Sequence, residues 1–266
     1  MANLKQPTYF ISHGGGPWPF ISEMREGLTK TLDWMKHFAE NLPERPTAIL
    51  SISAHWQEDE FTVSTAKNPT MIYDYSGFPE HTYKIQYPAL GAPTLAARVQ
   101  ELLTNAKIAI KTNAARGFDH GTFVPLSLMF PKADIPVVSM SIRKKYNPRD
   151  HILMGEALSP LRDEGVLIIG SGLSYHNMRE FGLKSGTVAS QKFGEWLGQT
   201  ISLANTEERN RQLENWEQAP AARLAHPTED HLIPLMTVVG AAKNDVGRVV
   251  LIDHAMSVDM ATYQFG

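Results

Sequence analysis

Cysteine is absent from the 266-residue chain, which excludes a disulfide framework, a thiolate metal site and a cysteine nucleophile. Long apolar runs are absent too. No stretch approaches the roughly 20 apolar residues that cross a bilayer. The opening decapeptide MANLKQPTYF lacks the apolar core of a secretory signal. Charge excess is small, a net −3 at pH 7, so neither nucleic acid nor an anionic membrane is an expected partner. Repeats, low-complexity tracts and linkers are missing as well. The expectation is a cytoplasmic protein, its one domain spanning residues 1–266. Its 42% hydrophobic content suits a sizeable core.

What is present alternates between short apolar runs and longer helical patterns. Strands are expected at Tyr9–Ser12, Thr47–Trp56, "FTVSTA", "IAIKTN", Ile135–Ile142, Val166–Gly170 and, last, "GRVVLIDHAMS". Helices are expected over Glu23–Asn41, where Met24, Leu28, Leu32, Met35 and Phe38 are near helical spacing, and over Thr94–Asn105, "RDHILMGEALSPLRDEG", most of Ser185–Gln218, and "HLIPLMTVVGAAK". Residues 67–93 are rich in Pro, Gly, Tyr and Asn. They read as a long irregular excursion, either a lid carrying Tyr73, Tyr75, Phe78, Tyr83 and Tyr87 or a loop packed on its own aromatics. The alternation predicts an α/β fold: one domain, a largely parallel central sheet and helices on both faces.

Ten histidines are present. His13, His55 and His176 each fall at or just after a strand. In an open parallel sheet ligands bind beyond the carboxyl ends of the strands, so these three belong to one edge. His120, in "GFDHGTFVPL", and His231, in "AHPTEDHLIPL", lie in loops able to reach it. Gly14, Gly15 and Gly16 follow His13, and glycine admits positive φ and close approach of a ligand to the backbone. Imidazole is the commonest ligand for transition metals and suits Zn and Fe. Thr228 reads as an N-cap, placing Glu229, Asp230 and His231 in the first turn of a helix. One loop histidine alone is ordinarily structural, but five in loops marked by glycine or proline are better explained by a shared site. His37, His81, His151, His226 and His254 are read as structural or surface residues. Trp18 and Trp56 adjoin the cluster in sequence and are either pocket walls or core. "HGGG" also occurs in lipase oxyanion holes, but no serine stands in the G-x-S-x-G spacing those enzymes need. "GSG" lacks the third glycine of a dinucleotide fingerprint.

Together "SHGGGP", "SAHW", "FDHGTFVPL", "GSGLSYHN" and "HPTEDHLIPL" resemble, in order and over nearly the whole chain, the class III extradiol ring-opening dioxygenases, in particular the DOPA 4,5-dioxygenase branch. The resemblance implies a mononuclear non-haem metal site at the strand C-terminal edge. His13, His55 and His231 match its ligands. His176 matches an acid/base histidine that in some members itself contacts zinc, and His120 matches a histidine facing the substrate; Gly14 and Gly15, through the close approach their backbone allows, are expected to contact the substrate as well. A carboxylate completes the site in better-known class III enzymes. Here His231 takes that place, with Glu229 the nearest alternative. Fe(II) is the implied working metal and zinc a possible occupant; a catechol-type substrate and O2 are the implied partners, the oligomeric state being left open. The rival reading is a zinc hydrolase using the same histidines, with Glu229 or Asp230 as base.

Overall fold

Thr8–Ser12 forms β1, every residue of it buried. Runs that are apolar on both faces belong to strands covered on both sides, and in the computed structural model, described over residues 5–266, β1 lies near the middle of the sheet. The other strands are β2 (Ala48–Glu58), β3 (Phe61–Ser64), β4 (Ile110–Asn113), β5 (Val137–Arg143), β6 (Val166–Gly172), β7 (Gly247–Ala255) and β8 (Val258–Phe265). All eight join one sheet in the order β4-β3-β5-β2-β6-β1-β8-β7. The central β5-β2-β6-β1 block is parallel, while β3 meets β5, and β8 meets β1 and β7, in antiparallel fashion. The α/β fold with a largely parallel sheet is therefore what the chain adopts.

Alternation along the strands assigns the two faces. On one, Thr8 donates from Oγ1 to the Val238 carbonyl, and the helix Ile233–Ala242, buried throughout, lies between the sheet and the helix Pro148–Leu158. On the other, Tyr9 packs against Trp34 of the helix Thr29–Lys36 and against Phe38, and Ser51 bonds Thr122 of the helix His120–Met129. Helices thus cover both faces.

Several local expectations change. The helix expected over Glu23–Asn41 breaks at Gly27 and Leu28 into Ser22–Glu26 and Thr29–Lys36 and ends in a 3-10 turn, Phe38–Asn41. The one expected to end at Gly165 is interrupted at Ser159, because Pro160 has no N–H to continue the ladder. His120 opens a helix rather than lying in a loop: Asp119 caps it, accepting from the Thr122 amide, and Pro125 disguises it in the sequence. Strand β8 was not expected. Its hairpin with β7 turns through Met256 and Ser257 at φ 47° and 71°, a conformation usually announced by Asn-Gly. His231 sits in a turn before its helix, which starts at Ile233.

No helix among the described residues is long and apolar enough to cross a membrane.

Candidate functional site

The carboxyl ends of β1, β2 and β6 lie side by side, and the histidines rise from them. His13 follows β1 directly, and its amide bonds the Gly172 carbonyl at the end of β6. Its ring is buried, with Nδ1 2.7 Å from the Gly14 carbonyl oxygen. Nδ1 therefore donates, and Nε2 keeps its lone pair. That buried Nε2 meets no donor among the described residues. Gly14 adopts φ +77°, and a Cβ there would lie 2.3 Å from Trp18. The glycine is thus explained by the indole, whose N–H donates to the His13 carbonyl at 2.7 Å. Gly15 is exposed, and with Gly14 it borders an apolar groove of about 270 Å³ lined also by Trp18, Leu28 and Leu173. Trp18 is core and groove wall together. Trp56 is also buried, beneath Arg116 and bonded to Glu58.

His55 lies where the register of β2 against β5 slips, between Ser53 and Gln57. Such irregularities re-aim a side chain, and here the Nδ1 of His55 faces Asp74 Oδ2 at 3.3 Å. His231 is set from the far side of the sheet edge. Its carbonyl accepts from the Leu173 amide at 3.0 Å, and a Cβ on Gly172 would fall 2.1 Å from that oxygen. Its Nδ1 donates to Asp230 Oδ2 at 2.5 Å, and Thr228 holds the other Asp230 oxygen at 2.6 Å. Thr228 therefore orients a carboxylate rather than capping the helix.

The Nε2 atoms of His55 and His231 face each other, 3.2 Å apart; with both rings protonated on Nδ1, beside Asp74 and Asp230, these are two lone pairs. Two lone pairs that close need a cation or a proton between them. Two imidazole nitrogens on one tetrahedral ion at about 2.0–2.1 Å are separated by about 3.3–3.4 Å, so the spacing suits a shared metal. Ring positions discriminate further. With ring centres about 1.1 Å beyond the nitrogen, imidazoles sharing such an ion lie about 4.5 Å apart at a right angle and about 5.2 Å at the tetrahedral angle. His13–His55, His13–His231 and His55–His231 centroids are 5.0, 5.4 and 4.8 Å apart. His55–His120 at 3.9 Å and His176–His231 at 3.5 Å are too close for both members of either pair to share it. Proximity of ligand atoms alone also groups His13 with His55 and His120, and His176 with Asp230 and His231; each of these groups contains one of the two ring pairs that stand closer than a shared ion allows.

Electrostatics agree. Burial pushes His13 well below its ordinary pKa, aided by the neighbouring imidazoles. Burial likewise lowers His55 to about 4 and His231 to about 3. All three are neutral at pH 7, the form that binds metal. Burial alone would raise the Asp230 carboxyl, but the bonds from His231 and Thr228 and the nearby imidazoles hold it below the usual range.

The remaining two histidines flank this trio. His120 bonds through Nδ1 to Asp74 Oδ1 at 2.9 Å. His176 stacks on His231 at a 30° interplanar angle, its buried Nδ1 without a hydrogen-bond partner among the described residues and 3.8 Å from Asp230. The excursion 67–93 is pinned by backbone bonds between Phe118 and both Thr70 and Ile72. Tyr73, Tyr75 and Tyr83 pack on one another, Phe78 packs on Tyr75, and Tyr75 stands 5.9 Å from His120. Tyr87 packs instead against Phe118 in the core. Glu229 is taken by Arg223 at 2.8 Å and Asp230 by His231, so neither carboxylate is free to act as a hydrolytic base. Asp74 was not anticipated: no spacing marks it, and only a fold that lays 67–93 beside His120 reveals it.

The family model described as the catalytic LigB subunit of aromatic ring-opening dioxygenase matches residues 7–262. The chain belongs to this family. It is thus a metal-dependent extradiol ring-opening dioxygenase, and the hydrolase reading finds no support. Among its relatives are a 4,5-DOPA dioxygenase extradiol of Beta vulgaris, 39% identical over 90% of this chain and 88% of that protein, and the dioxygenase tasH of Hapsidospora irregularis, 36% identical over 98% and 85%. The crystal structure of the uncharacterized protein JW3007 from Escherichia coli K12 superimposes with a TM-score of 0.79 at 30% identity, covering 98% of this chain and all of the other.

Proposed function

We propose that His13, His55 and His231 hold one Fe(II) ion beside a site for a DOPA-like catechol, with His120 and His176 moving its protons. The observation that carries this reading is the set of three neutral imidazoles whose Nδ1 atoms are engaged by Gly14, Asp74 and Asp230. Zinc fits the same nitrogens and is the alternative occupant. When bound, Fe(II) supplies a Lewis-acidic, redox-active centre with open positions for a diol and dioxygen.

The chain's own groups do the rest. His120 keeps an Nε2 lone pair while Asp74 accepts its Nδ1 proton, which suits it to take a proton from a ring hydroxyl. Burial lowers the pKa of His176, against the opposing charge of Asp230, so it is neutral near pH 7 and able to accept a proton and return it. Tyr75 bonds through its hydroxyl to the Thr82 carbonyl at 2.6 Å and is a wall rather than a proton donor. The relatives named as 4,5-DOPA dioxygenases support a DOPA-like substrate.

Anaerobic reconstitution with Fe(II), then addition of a catechol panel and air, tests the proposal. Oxygen uptake with a yellow ring-opened product is expected. Turnover with zinc but not with Fe(II) would reject the iron assignment, and indifference to every catechol would reject the substrate class.

A further inference from the structure

One carboxylate in the irregular segment faces both classes of histidine. The Thr70 carbonyl accepts from the Phe118 amide at 2.8 Å and the Ile72 amide donates back to the Phe118 carbonyl at 2.7 Å, which lays "YDY" (73–75) against the start of the helix His120–Met129. Asp74 Oδ1 then accepts two bonds from one residue, the His120 amide at 2.9 Å and the His120 Nδ1 at 2.9 Å. Asp74 Oδ2 lies 3.3 Å from His55 Nδ1. An ionised carboxylate only accepts, so His120 Nδ1 presents its proton to it and leaves Nε2 bare; His55 Nδ1, at ion-pair distance rather than in an aligned hydrogen bond, is drawn to the same tautomer by the carboxylate charge.

We infer that Asp74 is a positioning residue that fixes the Nδ1–H tautomer of His55 and His120 together, so that one side chain aims a metal-binding lone pair and a proton-accepting one into the same space. The inference rests on the proposed roles of those two histidines. A carboxylate behind a metal-binding imidazole is a general device for setting its direction and basicity. What is particular to this chain is the sharing: the excursion 67–93, which contributes no imidazole to the cluster, governs two that come from β2 and from the helix at 120. His176 has no such support, since Asp230 spends its closer contact on His231.

Asp74→Asn separates the two halves of this role. An amide has one accepting oxygen, and the paired donors of His120 retain it. The amide N–H then faces His55 Nδ1 and drives the His55 proton onto Nε2, closing the lone pair. Zn(II) affinity, measured by competition titration at fixed pH, is expected to fall about 10–100-fold. In the metal-free protein, long-range 1H–15N spectra should show His55 changing from the Nδ1–H to the Nε2–H tautomer while His120 keeps its own. Asp74→Glu, which retains two accepting oxygens, should preserve both tautomers and lie nearer to wild type in zinc affinity. Unchanged tautomers and affinity in Asp74→Asn, or equal losses in the Asn and Glu variants, would overturn the inference. If His55→Ala binds zinc as tightly as wild type, the ligand assignment fails instead, a distinct result.

Discussion

The two faces of the central sheet are built from different chemistry, one residue apart. Across β5, β2, β6 and β1, Met140, Ile52, Gly170 and Phe10 stand in register on one face, and Ser141, Ser53, Ser171 and Ile11 follow on the other. On the apolar face a fully buried helix lies close enough that a Cβ on Gly170 would fall 2.5 Å from the Pro234 carbonyl. On the serine face every hydroxyl of that row has a partner: Ser53 donates to Asp119 at 2.7 Å, Ser171 to the Gly121 carbonyl, and Ser141 accepts from the Thr62 amide at 2.9 Å. Buried polar groups cost stability unless paired, and the pairings of Ser53 and Ser171 bring the start of the helix His120–Met129 onto the sheet. One face supplies burial, the other a polar floor for the site. Stability and chemistry should therefore be separable by mutation.

The largest effect expected on the site side is from the ligands. His13→Ala, His55→Ala or His231→Ala should each lose bound metal and turnover together, as chelation of the wild type should. Metal analysis and oxygen uptake read both. For His55, the least buried of the three, the melting temperature of the metal-free protein should change little; a large drop would show that the site also holds the fold together and would break the comparison. Next in size, His176→Ala should lower turnover about 10²–10⁴-fold, the usual contribution of a general acid or base, with metal content unchanged. Metal loss in that variant would make His176 a ligand.

On the apolar side the order reverses. Met154, fully buried in the helix Pro148–Leu158, should cost about 2–5 kcal/mol when cut to alanine, measured by urea denaturation. Turnover per folded molecule and metal content should not move. Altered kinetics at full metal loading would mean that this face also shapes the site.

Sequence carried the general plan and the candidate ligands because both leave local marks. Strand-end histidines beside glycine can be read singly, and apolar runs announce buried strands. What stayed hidden depends on the fold. Asp74 acquires its role only when residues 70–72 pair with Phe118. The helix at His120 is masked by Pro125, and β8 by a positive-φ turn made of Met and Ser. Thr228 has the look of an N-cap, yet its hydroxyl serves Asp230 instead, since the helix starts only at Ile233. Which faces the strand-end residues occupy needs the register, and the slip in β2 that aims His55 leaves no trace in composition.

The smallest effect concerns a histidine on the stability side. His151 is fully buried, but both ring nitrogens are used by backbone: Nδ1 donates to the Asn147 carbonyl at 2.7 Å and Nε2 accepts from the Arg143 amide at 3.1 Å. Burial lowers its pKa to about 4, against the opposing bond to Asn147, whereas the unfolded chain titrates near the ordinary 6.5. The unfolded state thus takes the proton first. His151's share of stability is full above about pH 6.5 and is lost as pH falls toward 4, at no more than about 1.4 kcal/mol per pH unit. In His151→Gln the loss of stability across that window should be shallower, as read by thermal melts at successive pH values. Because no metal binds at His151, the difference between wild type and this variant should be the same with and without zinc. A zinc-dependent difference would tie His151 to the site and weaken the division between the two faces.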